Sequence, residues 1–224
     1  MKLLVTGGLG FIGSNFILKM LDEDENLEIM NIDAELYGSD HRNLDKVKNS
    51  NRYNFLKGNI SNKKFMEEQI GKCDAIVNFA AESHVDRSIN DANPFLVSNI
   101  RGAFTILDII TKQKKRMVQI STDEVFGSLS NDTADEQSKF NPSSPYAATK
   151  AAAELLINSY AITFQSDVVI TRCTNNYGPR QFLEKLIPKT IILANKNLKI
   201  PIYGEGKNIR DWIYVDDHCN AVKM

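Results

Sequence analysis

Cysteine is scarce in this chain: Cys73, Cys173 and Cys219 are the three among 224 residues. They are isolated, odd in number and without metal-type spacing, which speaks against a disulfide framework or a zinc site and for a reducing compartment. Histidine is as sparse, with three residues that do not cluster, so no metal centre is expected. Nor is there an excess of either charge: 27 Lys and Arg face 28 Asp and Glu. No global field draws such a chain to nucleic acid or to an anionic membrane, and any anion it binds must be held locally. Apolar runs long enough to span a membrane are missing, and the opening "MKLLV" passes into a glycine loop instead of a signal-peptide cleavage site. These absences predict a cytoplasmic globular protein.

What is present is a regular alternation. Apolar runs of strand length lie near 2–6, 28–32, 53–57, 74–78, 116–121 and 168–172, with helical spacing near 11–21, 62–70, 92–112 and 145–163 between them. Strands alternating with helices predict an α/β fold, a doubly wound parallel sheet covered on both faces. After about residue 173 the texture changes. "NNYGPRQFLEKLIP" reads as a helical stretch, and "IPIYGEGKNIRDWIYVDDH" is rich in Gly, Asp and aromatics. A boundary is expected there, dividing the chain into 1–172 and 173–224.

Between the first strand and the first helix, "TGGLGFIG" carries Gly7, Gly8, Gly10 and Gly13. Glycine at this spacing permits a tight turn, close approach of a pyrophosphate to the backbone and tight packing of helix on strand, while the helix N-terminus supplies amide donors. Asp33 ends the second strand in "IMNID", where an acid can accept from a ribose 2′-hydroxyl and would repel a 2′-phosphate, favouring NAD over NADP. The competing reading is that Asp33 caps the next segment. In "GNI", Asn59 stands where it could lie beside an adenine.

"NPSSPYAATK" holds Tyr146 and Lys150 four apart at a helix start, with Ser144 suited to the N-cap and Pro145 to the first helical position. The pair shares one face, so the ammonium is expected to draw the phenol pKa down and make Tyr146 a base. "STDEVFG" places Thr122, Asp123 and Glu124 directly after an apolar strand. Two carboxyls at a buried strand end repel as dianions, which raises one pKa and leaves one group as acid and the other as base; an exposed acidic loop is the bland alternative.

Together "TGGLGFIG", "NFAAESHVDRSI", "STDEVFG", "YAATK", "TRCTNNYGP" and "RDWIYVDDH" resemble the extended short-chain dehydrogenase/reductase superfamily, and within it the dTDP-glucose 4,6-dehydratase family. The resemblance implies a Rossmann-type NAD-binding domain over 1–172 and an incomplete substrate domain over 173–224. It implies that Tyr146, with Lys150 and Thr122, takes the proton of a sugar 4-hydroxyl while hydride passes to NAD. Glu124 then removes the C5 proton, Asp123 protonates the departing C6 hydroxyl, and hydride returns to C6. Besides the glycines, the implied cofactor residues are Phe11, Ile12, Ile60, Ala80, Ala81, Ser83 and Ser98. Ser83, Thr122, Asn176, Lys185, Leu186, Pro201, Tyr203 and Arg210 are implied for the sugar nucleotide, and a homodimer through the helices near 92–112 and 145–163. His84 and His218 are expected as framework residues.

Asp123 carries the discrimination inside the superfamily. The 4-epimerases lack the acid pair, and the UDP-glucuronate decarboxylases and GDP-mannose dehydratases usually carry Ser at that place. The sequence departs from the resemblance at Asn59, Phe126 and Leu183, where Asp, Tyr and Pro are usual. Relatives are also longer. A non-catalytic NAD-binding module or fragment with an incomplete sugar-nucleotide pocket, or a related UDP-sugar epimerase or decarboxylase, therefore remain alternatives.

Overall fold

The computed structural model describes residues 1–129, 133–202 and 204–224. Six strands form one parallel sheet: β1 (Lys2–Thr6), β2 (Glu28–Asp33), β3 (Tyr53–Lys57), β4 (Ala75–Asn78), β5 (Arg116–Thr122) and β6 (Val168–Cys173). Their order is β3-β2-β1-β4-β5-β6. Strand order reverses direction between β1 and β4, so a crevice opens at the carboxyl ends of the strands. That crevice holds the site.

Period-two alternation in β1 decides which core each residue enters. Leu3 and Val5 point to one face, where they meet Phe16 and Ile17 of α1 (Phe11–Glu23). Leu4 points to the other, where it joins Met66 and Ile70 of α2 (Lys63–Ile70), Ile106 and Ile110, and Ile157. Two apolar layers thus clamp the central strands of the sheet from both sides. Further along come the short helices α3 (Val85–Asn90) and α4 (Asn93–Phe95). A helix expected over 92–112 proves composite: α4 runs into a π-helical segment, Leu96–Gly102, and then α5 (Ala103–Gln113). Extra residues in a turn of this kind re-aim side chains and concentrate at functional sites.

The expected cap holds at α6 (Pro145–Phe164), where Ser144 Oγ accepts from the Ala147 N–H at 3.1 Å and Pro145 opens the helix.

Past β6 the reading needs correction. "NNYGPRQFLEKLIP" is not one helix. Asn175–Tyr177 forms β7, paired in parallel with β8 (Trp212–Tyr214), and the helix α7 (Leu186–Asn195) begins only at Leu186. Gly178 at φ 146° and Arg180 at φ 69°, flanking Pro179, keep the intervening backbone out of the helical region. Within 173–224, packing differs from one end to the other. The last helix, α8 (Val215–Lys223), lays Val215, Cys219 and Val222 into the same core as α1, and Lys19 and Lys223 reach Asp216 and Glu23.

Candidate functional site

Backbone sterics shape the floor of the cleft. Gly7 turns at φ 71°, and a Cβ there would lie 2.6 Å from the Ala80 backbone nitrogen. At Gly13 a Cβ would lie 2.5 Å from the Gly7 carbonyl oxygen. Neither position can carry a side chain, so the chain folds down onto itself and onto the loop after β4. Gly10 is the N-cap of α1; no side chain caps the helix and its first turn holds no acid. The opening amides of α1 are thus presented at the cleft floor, where the helix dipole favours an anion.

Asp33 turns out to cap the next segment as well as to face the cleft. Its Oδ2 accepts from the Leu9 N–H at 3.0 Å, and its Oδ1 accepts from the Glu35 N–H and the Ser39 hydroxyl, each at 2.8 Å. A carboxylate offers about four acceptor positions, so one is left for a ribose hydroxyl. Asn59 lines the cleft as well, and its Oδ1 accepts from the Ser61 N–H at 2.9 Å and the Ser61 hydroxyl at 2.8 Å, which fixes the side chain in its own turn.

A cavity of about 350 Å³ runs from this floor to the ends of β5 and β6. All the predicted cofactor and catalytic residues line it, from Gly7 to Lys150, together with Asn176 and Lys185. Thr122 ends β5 and caps a 3-10 turn, Asp123–Phe126, its hydroxyl accepting from the Glu124 N–H at 3.2 Å and donating to Asp123 at 3.2 Å. The hydroxyl and both acids are thereby fixed by one turn.

Burial sets the protonation of this cluster. It raises Asp123 from the ordinary carboxylate value against the opposing hydrogen bonds from the Thr122 hydroxyl and the turn backbone, with the Asp211 charge adding to the rise. Burial also raises Glu124, as does the neighbouring Asp123, but Arg210 and Lys185 pull it back down. Both carboxyls are thus raised, and they differ in what opposes the rise: cations at Glu124, hydrogen bonds at Asp123.

The Tyr146–Lys150 pair departs from expectation. Tyr146 is pushed up from its ordinary value, first by burial and next by the Glu124 charge, while the Thr122 hydroxyl opposes. Lys150 is lowered by burial to about 8, and its Nζ donates to the Ile120 carbonyl at 2.6 Å. Enclosure outweighs the through-space pull of the ammonium, so Tyr146 is a phenol here.

Other predicted residues stand elsewhere. The Asn176 side chain lines the cleft but is engaged within the protein, its Nδ2 donating to the Thr174 carbonyl at 3.0 Å and its Oδ1 2.9 Å from His218 Nδ1. His218 is buried and held down at about 4, which makes it a neutral framework group as expected. Leu186 lines a separate apolar hollow with Tyr177, Ile191 and Trp212. Pro201 and Arg210 are exposed and do not line the cleft. Tyr203 lies outside the described residues.

Three contributors escaped the sequence reading. Buried Asn99, in the π-helical segment, brackets the backbone of Glu82 through both its N–H (2.9 Å) and carbonyl (3.0 Å) and also donates to Thr149 at 3.0 Å. Fully enclosed Glu154 takes the Ser121 hydroxyl and pairs with Arg172 at 2.8 Å, fastening α6 to β5 and β6 beneath the acids. Cys173 lines the cleft with its thiol pushed up to about 11 by burial. A polar residue at helical spacing inside an apolar face was the available signal for Asn99 and Glu154; Cys173 gave none.

Comparison with known proteins agrees with this geometry. The family described as GDP-mannose 4,6 dehydratase matches residues 4–224. The chain is 44% identical over 225 residues to the low-salt glycan biosynthesis protein Agl12 of Haloferax volcanii, covering 100% of this chain and 72% of that protein. It is 41% identical over 230 residues to a dTDP-glucose 4,6-dehydratase of an Actinoplanes species, again over 100% and 72%. The crystal structure of DesIV, a dTDP-glucose 4,6-dehydratase from Streptomyces venezuelae with NAD and TYD bound, superposes with a TM-score of 0.95 at 42% identity, over 99% of this chain and 70% of that one. Sheet order, glycine loop and acid pair all fall inside the matched residues, and the chain belongs to the GDP-mannose 4,6 dehydratase family of NAD-dependent epimerases and dehydratases.

Proposed function

We propose that this chain is an NAD-dependent nucleotide-sugar 4,6-dehydratase that removes water from dTDP-glucose to leave dTDP-4-keto-6-deoxyglucose. The observation that carries the reading is the asymmetry of the acid pair. Elimination needs one carboxyl ionised and its neighbour protonated. Burial raises both; the Lys185 and Arg210 charges oppose it at Glu124, whereas at Asp123 hydrogen bonds oppose it and the Asp211 charge adds to it.

The residues present fit a dinucleotide: the Gly7 and Gly13 positions leave no room for a Cβ, the α1 amides face the cleft, and Asp33 has one acceptor position to spare. When bound, NAD supplies a reversible hydride acceptor and a positive ring charge. Lys150 stays largely protonated at neutral pH and sits one helical turn from Tyr146, adding the positive charge that a phenolate needs. Tyr146, a phenol in the protein alone, would take the proton of the sugar 4-hydroxyl, held by the Thr122 hydroxyl, only as the phenolate that the Lys150 ammonium and a bound nicotinamide cation together favour. Glu124 takes the proton from C5, which the 4-keto group has acidified, and Asp123 gives its proton to the departing C6 hydroxyl. Asn99 fixes the loop that carries Ser83 against the sugar.

The test is product analysis after incubation with NAD and either dTDP-glucose or UDP-glucose. A 4-keto-6-deoxy product from the dTDP sugar is expected. Asp123→Asn and Glu124→Gln should each lower water loss by about 10²–10⁴-fold while cofactor affinity is kept. Normal dehydration by both variants sinks the assignment. One observation favours a second reading, that of a module binding NAD without the sugar nucleotide: Pro201 and Arg210 lie outside the cleft. NAD binding with no response to dTDP-glucose in the same titration would select it.

We also infer a cytoplasmic homodimer. The α5–α6 face leaves Leu155, Ile162 and Phe164 exposed at 60%, 83% and 57%, more apolar surface than one covering face needs. Sedimentation equilibrium showing a monomer at micromolar concentration would remove the dimer.

A further inference from the structure

Three segments that are remote in sequence meet at the mouth of the cleft through Glu184. Tyr37, in the loop after Asp33, donates its hydroxyl to Glu184 Oε2. His84, at the start of α3, brings its Nε2 to 2.5 Å from Glu184 Oε1. The Arg87 guanidinium lies 4.0 Å over the Tyr37 ring, and Phe182 meets the same ring edge-on at 5.1 Å. Tyr37, His84, Phe182 and Glu184 all line the cleft that contains Asp33 and the Tyr146–Lys150 pair. None of these four has a part in the proton transfers above.

We infer that Glu184 is a clamp: by holding Tyr37 and His84 together it ties the 181–185 segment to the loops after β2 and β4 and so retains the dinucleotide in the cleft between turnovers. The inference rests on the NAD-dependent reading, in which hydride is returned within each cycle and the dinucleotide has no chemical reason to leave. The Glu184 carboxylate accepts from the Tyr37 phenol, a charge-assisted contact stronger than a neutral one, and its other oxygen lies within ion-pair distance of the His84 ring. Its position next to Lys185 means that the same contact also holds the segment bearing the cation that favours ionised Glu124.

The experiment loads the full chain with NADH, displaces it with excess NAD and follows NADH fluorescence in a stopped-flow instrument. Two mild variants are compared with the parent. Tyr37→Phe removes only the hydroxyl and keeps the ring under Arg87 and against Phe182; Glu184→Gln keeps the shape and removes the charge. Each should speed NADH release by about tenfold, the loss of one charge-assisted hydrogen bond. Melting temperatures of the ligand-free proteins are measured in parallel, because a contact that merely holds the fold would lower these and leave the release rate alone. Release within twofold of the parent in both variants overturns the clamp. Failure of the parent to take up NADH would instead overturn the NAD-dependent reading itself, and the clamp with it.

Discussion

The sheet-bound body and the segment 174–211 are held by different means. In the former, Leu4, Val5, Ile17 and Ile106 are fully enclosed and strand-end polar groups such as Thr6, Asn78 and Gln119 are linked to one another. In the latter, α7 has no buried residue, and Ile202 and Ile209 are 73% and 88% exposed. The contrast teaches where this molecule stores its stability. Apolar burial fixes the wall of the cleft made by the strand ends and the glycine loop, whereas the wall made by 174–211 hangs on a few polar ties, chiefly Asn176–His218, Arg180–Asn15 and the Glu184 contacts.

The largest break in that contrast should come from Glu154. Glu154→Ala leaves Arg172 without its partner under the acid turn and should cost about 3–5 kcal/mol, read as a fall in the denaturation midpoint. A change of less than about 1 kcal/mol would show that the pair is not what fastens α6 to β5.

Next is acid sensitivity at His218. Its folded-state pKa, about 4, lies below the ordinary 6.5, so the unfolded chain binds the proton more readily. Stability should be complete above pH 6.5, fall by an amount on the order of 3 kcal/mol as pH drops to about 4, and level off below. His218→Gln should flatten that limb of the curve, and an unaltered limb would assign it to other groups.

A smaller loss is expected at Gly7. Gly7→Ala forces a Cβ against the Ala80 backbone at φ 71° and should cost about 1–3 kcal/mol, with NAD affinity falling further than stability does. Equal losses of both would mean that the loop shapes the fold and not the cradle. The smallest effect sharpens the other side of the comparison: Ile209→Ser should shift stability by less than about 0.5 kcal/mol, since the side chain is already in water.

Much of the first region was legible because its signals are local. Strand runs, the glycine loop and the Ser144–Pro145 cap each need only neighbours in sequence, and all six central strands fall within two residues of their expected ends. The second region misled. Nothing local marks "NNY" and "WIY" as paired strands, because a three-residue strand exists only through its distant partner. Nor does "VDDHCNAVK" announce that its helix packs on α1, nor Asn59 that its oxygen serves Ser61. The π-helical break that seats Ser98 and Asn99 was hidden for the same reason: the spacing of apolar residues looks helical on either side of it.

By itself the sequence determined the alternation of strands and helices, the backbone turn that only glycine can make, and the presence of a hydroxyl, two acids, a phenol and an amine in chain order. Tertiary structure alone decided which way each group's pKa moves: which acid the cations Lys185 and Arg210 reach, why Tyr146 holds its proton more tightly, and why Lys150 is pulled toward losing its own. Dihedral preferences act between adjacent residues, whereas desolvation and Coulomb energy sum over every atom nearby in space, whatever its place in the chain.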